Sequence, residues 1–271
     1  MRKQEAITDL IPNAQQILDF HGQGDVTILE AVSMKFVVFL VLGHHCVRTL
    51  VQGARFLPTY LPTIQVVITG GIGRGTRLLQ DAIANFLMLE GLPALKPADL
   101  ECEATMIERL FRDLGVRNPM ELERCAPHTA ANYSLSKPFL EKLGAYPNGK
   151  ILVLQAPPNR RRASACGERV FGGSAEIRTL HLSLVDLSTL CEKDLVIELF
   201  RLFGLRRTPQ SELRVCAEFD PSVLDSMPLE LRVLANDTER RFHSCLENSP
   251  RLLDHFRDAL LEMPESVGGR S

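Results

Sequence analysis

The stretch Phe36-Val37-Val38-Phe39-Leu40-Val41-Leu42-Gly43 decides the fold of this chain. Its apolar residues are unbroken, rich in valine and phenylalanine, and closed by a glycine. An amphipathic strand would alternate; a run without alternation belongs to a strand covered on both faces, as in a parallel sheet with helices above and below. Two later segments repeat the signal. Val66-Val67-Ile68-Thr69 stops at Gly70-Gly71, and Ile151-Leu152-Val153-Leu154 stops at Gln155-Ala156-Pro157-Pro158.

Working outward, the intervals carry apolar residues at helical spacing over Thr76 to Leu89, Glu103 to Leu114 and Ala130 to Leu143, the last followed by Gly144. After Arg160 the pattern predicts a helix to Phe171 and a strand from Ile177 to Leu182. Alternating strand and helix predicts right-handed crossovers on a doubly wound sheet. The expected class is α/β, a Rossmann-like three-layer sandwich with a mainly parallel sheet. A leading helix is expected over Ile7, Leu10, Ile11, Ala14, Ile17 and Leu18, ending at His21-Gly22-Gln23-Gly24. Beyond Asp194 the chain reads as helical, with faces at Leu195-Val196-Leu199-Phe200 and Leu252-Leu253-Phe256-Leu260, interrupted at Leu213-Arg214-Val215-Cys216. Neither a repeat nor a low-complexity linker divides it. The expectation is a single domain over 1–271: an N-terminal helical segment (1–35), an α/β core (36–190) and a helical C-terminal elaboration (191–265).

Composition bounds the function. With 45% hydrophobic and 24% charged residues among 271, the chain is globular, which excludes disordered and fibrous classes. A net charge of -2 offers no general attraction to nucleic acid. The seven cysteines are scattered and form no Cys-x-x-Cys pair, so neither a zinc knuckle nor a dithiol motif is present. Reduced thiols, an N-terminus without an apolar leader core, and apolar runs far short of the ~20 residues of a membrane span lead us to expect a cytoplasmic protein. No metal, nucleic acid or membrane partner is expected, and the apolar helical tail suits a homodimer.

In open α/β sheets ligands sit beyond the carboxyl ends of the strands, which selects three loops. Gly43-His44-His45-Cys46 follows the first strand; the two histidines point in different directions and no third ligand has metal spacing. Gly70-Gly71-Ile72-Gly73-Arg74-Gly75-Thr76 has glycines where backbone can approach a ligand, and Thr76 opens a helix whose amides favour an anion. It lacks the Lys-Ser/Thr of a phosphate-binding loop, and the acidic residue expected ~20 positions on in a dinucleotide fingerprint is missing. Gln155 opens the third loop, and Arg160-Arg161-Arg162 that follow suit a phosphate or carboxylate, or a plain solvated helix start. Glu103, Thr129 and Asn132 read as helix-start residues. His128 near Cys125 suggests a thiolate and base, although such a pair is ordinarily structural.

Taken in order, Val41-Leu42-Gly43, Ile68-Thr69-Gly70-Gly71-Ile72-Gly73, Glu103-Ala104-Thr105, the Glu123 to Asn132 segment, and Gln155-x-Pro157 with Arg161-Arg162 resemble the family of uncharacterised α/β proteins that includes YdcF, SanA and ElyC, the YdcF branch most closely. A weaker similarity runs through Cys216-Ala217-Glu218-Phe219-Asp220-Pro221, so the resemblance spans roughly 36–230. It implies a Rossmann-like fold with a pocket at the strand ends and, for the YdcF branch, binding of S-adenosylmethionine, with no established reaction. This chain departs from the family at Val37, where an acidic residue is usual, and at Ala126, His128 and Ala131, where a serine, an asparagine and a glutamate are usual. A pocket is therefore expected with its chemistry reduced or changed.

The first expectation is binding of a small anionic or zwitterionic nucleoside-type ligand, S-adenosylmethionine first, in a protein that is methyltransferase-like if it is an enzyme. Gly43, His44, Gly70, Gly71, Gly73, Thr76, Glu103, Thr129, Asn132, Gln155, Arg161 and Arg162 are its candidate binding residues, and Glu103 its candidate catalytic one. Two alternatives stand beside it. One is a hydrolase of a phosphorylated small molecule, resting on the arginines and the glycine-rich helix start; the other is a non-catalytic ligand sensor or interaction scaffold.

Overall fold

The computed structural model describes residues 24–73, 75–92, 101–156 and 159–182, the last without the side chains of Arg161, Arg162 and Ala165. The expected leading helix and the whole helical C-terminal region lie outside these residues. Strands β1 (Val38–Leu42), β2 (Gln65–Thr69), β3 (Met120–Glu123), β4 (Lys150–Leu154) and β5 (Glu176–Thr179) form a sheet ordered β3-β2-β1-β4-β5, parallel at every step. Helices α1 (Ile28–Ser33), α2 (Val47–Tyr60), α3 (Thr76–Leu89), α4 (Glu103–Asp113), α5 (Thr129–Lys142) and α6 (Arg160–Phe171) cover it. The fold is α/β and Rossmann-like.

Why β1 is apolar throughout is now visible. Phe39 and Val41 pack with Ile68, Leu154 and the buried faces of α2, α3 and α4, through Leu50, Leu57, Leu79 and Leu110. Val38, Leu40 and Leu42 point the other way, into a core with Tyr133 and Leu140 of α5 and Ala163 and Phe171 of α6. Each successive residue meets a different layer of helices, so polar alternation would bury a polar group without a partner. β1 is also the central strand, with Val41 opposite Ile68 on one side and Leu154 on the other.

Two elements go beyond those the sequence pattern predicts. Helix α2 has its apolar stripe at Val47, Leu50, Val51, Ala54 and Leu57, with Pro58 tolerated in the last turn. Strand β3 is short and alternates Met-Glu-Leu-Glu, the pattern of an edge strand rather than a doubly covered one. The last expected strand also ends early, at Thr179; Leu180 still donates its amide to Val153 O at 2.9 Å and forms an isolated bridge to Val26. On the outer edge of β5 the Asp25 carboxylate accepts both the Thr179 amide and the Thr179 hydroxyl at 2.9 Å.

The order β3-β2-β1-β4-β5 places the reversal of winding between β1 and β4. Of the three carboxyl-end loops, those after β1 and β4 therefore flank the crevice, and the glycine-rich loop after β2 lies one strand away.

Candidate functional site

The glycine-rich loop is held by its own chain. Gly73 N–H donates to Thr76 Oγ1 at 2.7 Å, and the Thr76 hydroxyl donates to Glu103 Oε1 at 3.1 Å. The first amides of α4 complete the knot: Glu103 N–H donates to Gly71 O at 3.1 Å and Ala104 N–H to Gly70 O at 2.9 Å. Side chains are excluded here for steric reasons. A Cβ on Gly71 would lie 2.8 Å from the carbonyl carbon of Cys125, and one on Gly73 3.0 Å from the Pro127 carbonyl oxygen. The close approach these two glycines permit is thus to the β3–α5 loop. Gly70, at φ +152°, sits against Gly43 and the Glu103 side chain.

That β3–α5 loop is organised by Glu123, whose carboxylate accepts from the Thr69 hydroxyl at 2.7 Å and from the Cys125 amide at 2.6 Å. Asn132 Oδ1 lies 3.1 Å from the same Thr69 hydroxyl. Asn132 is thereby engaged below the rim, and Thr129 is buried at the first position of α5, behind an N-cap made by His128. His128 uses its ring nitrogen on the Ala131 amide at 3.2 Å, which fits the structural reading of that residue.

Glu103 is 8% exposed and lies over the backbone of Gly43 and Gly70. Burial pushes its carboxyl above the ordinary carboxylate range, against the Thr76 hydroxyl and the nearby His45, which hold it down. His45 belongs to this corner. A Cβ added to Gly75 would lie 3.3 Å from His45 Nδ1 and 3.5 Å from Glu103 Oε1, so both groups face the same space above the first turn of α3.

His44 turns away from that corner. It is 6% exposed, its Nδ1 accepts the Cys46 amide at 3.2 Å, and its Nε2 is buried without a hydrogen-bond partner among the described residues. Burial, assisted by the charges of His45 and Arg160, pushes the imidazole down to about 3, so it is neutral near pH 7. With Nδ1 accepting, the proton is assigned to Nε2, a donor facing no acceptor. Arg160, at 1% exposure, shares this region. Its Nε donates to Gln155 O at 3.2 Å, and its Nη1 lies 3.4 Å from His181 Nδ1. Burial lowers it to about 10 while Cys46 acts in the opposite direction; the guanidinium stays charged at neutral pH. Burial and Arg160 together also lower His181. Gln155 is buried, with its Oε1 accepting from the Ala156 amide at 2.7 Å.

The fold thus brings together Gly43, His44, Gly70, Thr76, Glu103 and Gln155 at the carboxyl rim. It uses Asn132, Gly71 and Gly73 to fix neighbouring segments, and the side chains of Arg161 and Arg162 lie outside the described residues. His45 and Arg160 stand in two of the loops the sequence selects, but not among its candidate binding residues. A signal for Arg160 exists: it lies on one helical stripe with Ala163, Ser164, Gly167 and Phe171, all of which face inward. His45 has no such signal, because its partner Glu103 is far away in the chain. Among the described residues no group of three or more His, Cys, Asp or Glu side chains could hold a metal ion, and no helix is long and apolar enough to cross a membrane. No protein-family model and no curated protein matches this chain.

Proposed function

We propose that the crevice between β1 and β4 binds a small anionic or zwitterionic ligand of nucleoside type, with S-adenosylmethionine, the ligand the sequence resemblance implies, as the first to test. The observation that carries this reading is the buried Nε2 of His44, which has no hydrogen-bond partner among the described residues, near the buried Arg160. A buried donor without an acceptor costs on the order of 1–3 kcal/mol, and a ligand carboxylate reaching it removes that cost. The residues fit the group: Arg160 and His44 Nε2–H suit its carboxylate, and the polar corner at Glu103 and Thr76 suits sugar hydroxyls. When bound, S-adenosylmethionine supplies an electrophilic methyl group. The chain's own part is to bind and orient, which needs no strong acid or base.

Calorimetric titration with S-adenosylmethionine, S-adenosylhomocysteine, ATP and NAD at one salt concentration is the test. The expected result is saturable one-site binding of the first pair, weakened about tenfold or more in His44→Asn, a loss of about 1.4 kcal/mol or more. Asparagine keeps an acceptor for the Cys46 amide and removes the Nε2 donor. Heatless titrations with all four ligands would sink the reading.

A further inference from the structure

Glu103 is a buried carboxyl that the packing of the chain leaves half used. It opens α4, where an acid ordinarily caps the helix or answers its dipole. Here the first α4 amides are already taken: Glu103 N–H donates to Gly71 O at 3.1 Å and Ala104 N–H to Gly70 O at 2.9 Å. The side chain lies instead over the ends of β1 and β2. Its Oε1 accepts from the Thr76 hydroxyl at 3.1 Å, and its Oε2 has no hydrogen-bond partner among the described residues. Two glycines make room for it. A Cβ on Gly43 would fall on Oε2, with the Thr69 carbonyl oxygen next at 3.1 Å, and one on Gly70 would lie 2.9 Å from the Glu103 Cβ and 3.2 Å from Oε2. Gly43 is not in the left-handed region, so close packing rather than the turn requires glycine there. Burial holds the carboxyl above the ordinary carboxylate range, so its ionised form gains from any donor that reaches Oε2. The residue keeps 8% of its surface exposed at the carboxyl end of the sheet.

We propose that Glu103 is the specificity-determining residue of the nucleoside-type site: its carboxylate accepts the 2′- and 3′-hydroxyls of an unmodified ribose, and ligands that lack either hydroxyl or carry a phosphate on one are rejected. This inference rests on the reading of the rim as a nucleoside site. A vicinal diol presents two adjacent O–H donors, and the carboxyl presents Oε2 together with the lone pair of Oε1 that Thr76 leaves. A dinucleotide fingerprint gives this task to an acid about 20 positions beyond its glycine loop, a residue this chain lacks. Glu103 reaches the same loop from α4, joined to it through Thr76. A phosphate on the ribose would set its charge against a buried carboxylate. The rest of the ligand has a path: Gly43 lies under the carboxyl, and the Cα of His44 is about 3.8 Å further along the chain. A nucleoside that bears a carboxylate therefore spans both sides of the β1 end.

The test is calorimetric titration of the full chain with S-adenosylhomocysteine and with its 2′-deoxy and 3′-deoxy analogues, repeated for Glu103→Gln and Gly43→Ala. The wild type should bind the parent about tenfold or more tighter than either analogue, the size of one hydrogen bond to a charged group. Glu103→Gln keeps an acceptor for Thr76 and should narrow that preference to about threefold or less. Gly43→Ala, whose methyl displaces Oε2, should narrow it likewise. A purely structural role for Glu103 would weaken all three ligands alike and leave their ratio unchanged. Equal binding of the parent and its analogues by the wild type, or an unchanged ratio in Glu103→Gln, overturns this inference and leaves the nucleoside reading standing. Silence of the parent in the wild type overturns the choice of that ligand and this inference with it. The wild-type comparison decides the matter even where a variant fails to fold.

Discussion

His44 and His45 are neighbours in the chain, yet they occupy opposite environments. Side chains alternate along an extended strand, and the alternation of β1 runs on past its end: Gly43 faces Glu103 on the α4 side, and His44 is buried near Arg160 of α6. His45, beyond the strand, comes round to the Glu103 corner. One histidine is neutral, buried and holds a donor unmatched among the described residues; the other is partly exposed and lies near a carboxyl. The lesson is that a dipeptide at a switch point can place its two side chains in opposite environments, one in the packed interior and one beside a carboxyl at the rim.

The comparison can be broken most severely on the α6 side. Arg160→Ala removes a fully buried side chain and leaves Gln155 O without its donor, and is expected to cost about 3 kcal/mol. His45→Ala, on the other side, should cost under about 0.5 kcal/mol. Urea unfolding of the two variants checks this, and equal costs would abolish the distinction between a packed half-site and an open one.

Acidification sharpens it next. The His44 imidazole is lowered from 6.5 to about 3 in the folded protein. As pH falls below 6.5 the unfolded chain binds a proton that the folded state refuses, so stability is lost progressively down to about 3. Between about pH 7.5 and about pH 5 this group alone should remove about 2 kcal/mol. His44→Asn should show that much less acid sensitivity in thermal or urea unfolding at the two pH values.

Glu103 provides the smallest effect, with the opposite sign. Its folded-state carboxyl is raised, so the folded protein binds the proton first and stability declines as pH rises through the raised value. Glu103→Gln keeps an acceptor for Thr76 and removes this decline. It is expected to melt no lower than wild type at about pH 8 and to have a steeper loss on acidification. A marked fall in melting temperature at high pH would instead make Glu103 a structural cap.

Much of the architecture was legible in the sequence because burial on both faces leaves a local mark. The apolar runs at Val38–Leu42 and Ile151–Leu154, and the helices from Thr76, Glu103 and Arg160, follow from residues within one segment. β3 was not legible, since an edge strand of four residues with two glutamates carries no such mark. The site was legible in parts. The strand-end rule found the loops, and Glu103 and His44 stood among the candidates, but their tasks did not follow from spacing.

What the sequence by itself determined is the set of doubly covered strands, the helices between them and so the parallel α/β class, because hydrophobic periodicity is a short-range property. Only the tertiary structure decided which residues meet. The fingerprint acid sought shortly after the glycine loop is absent there, and Glu103 enters the same turn from α4, joined through Thr76. Arg160 is the inward arginine because the buried stripe of α6 includes its position. Both depend on the winding order β3-β2-β1-β4-β5, a global property that sets loops from distant segments side by side.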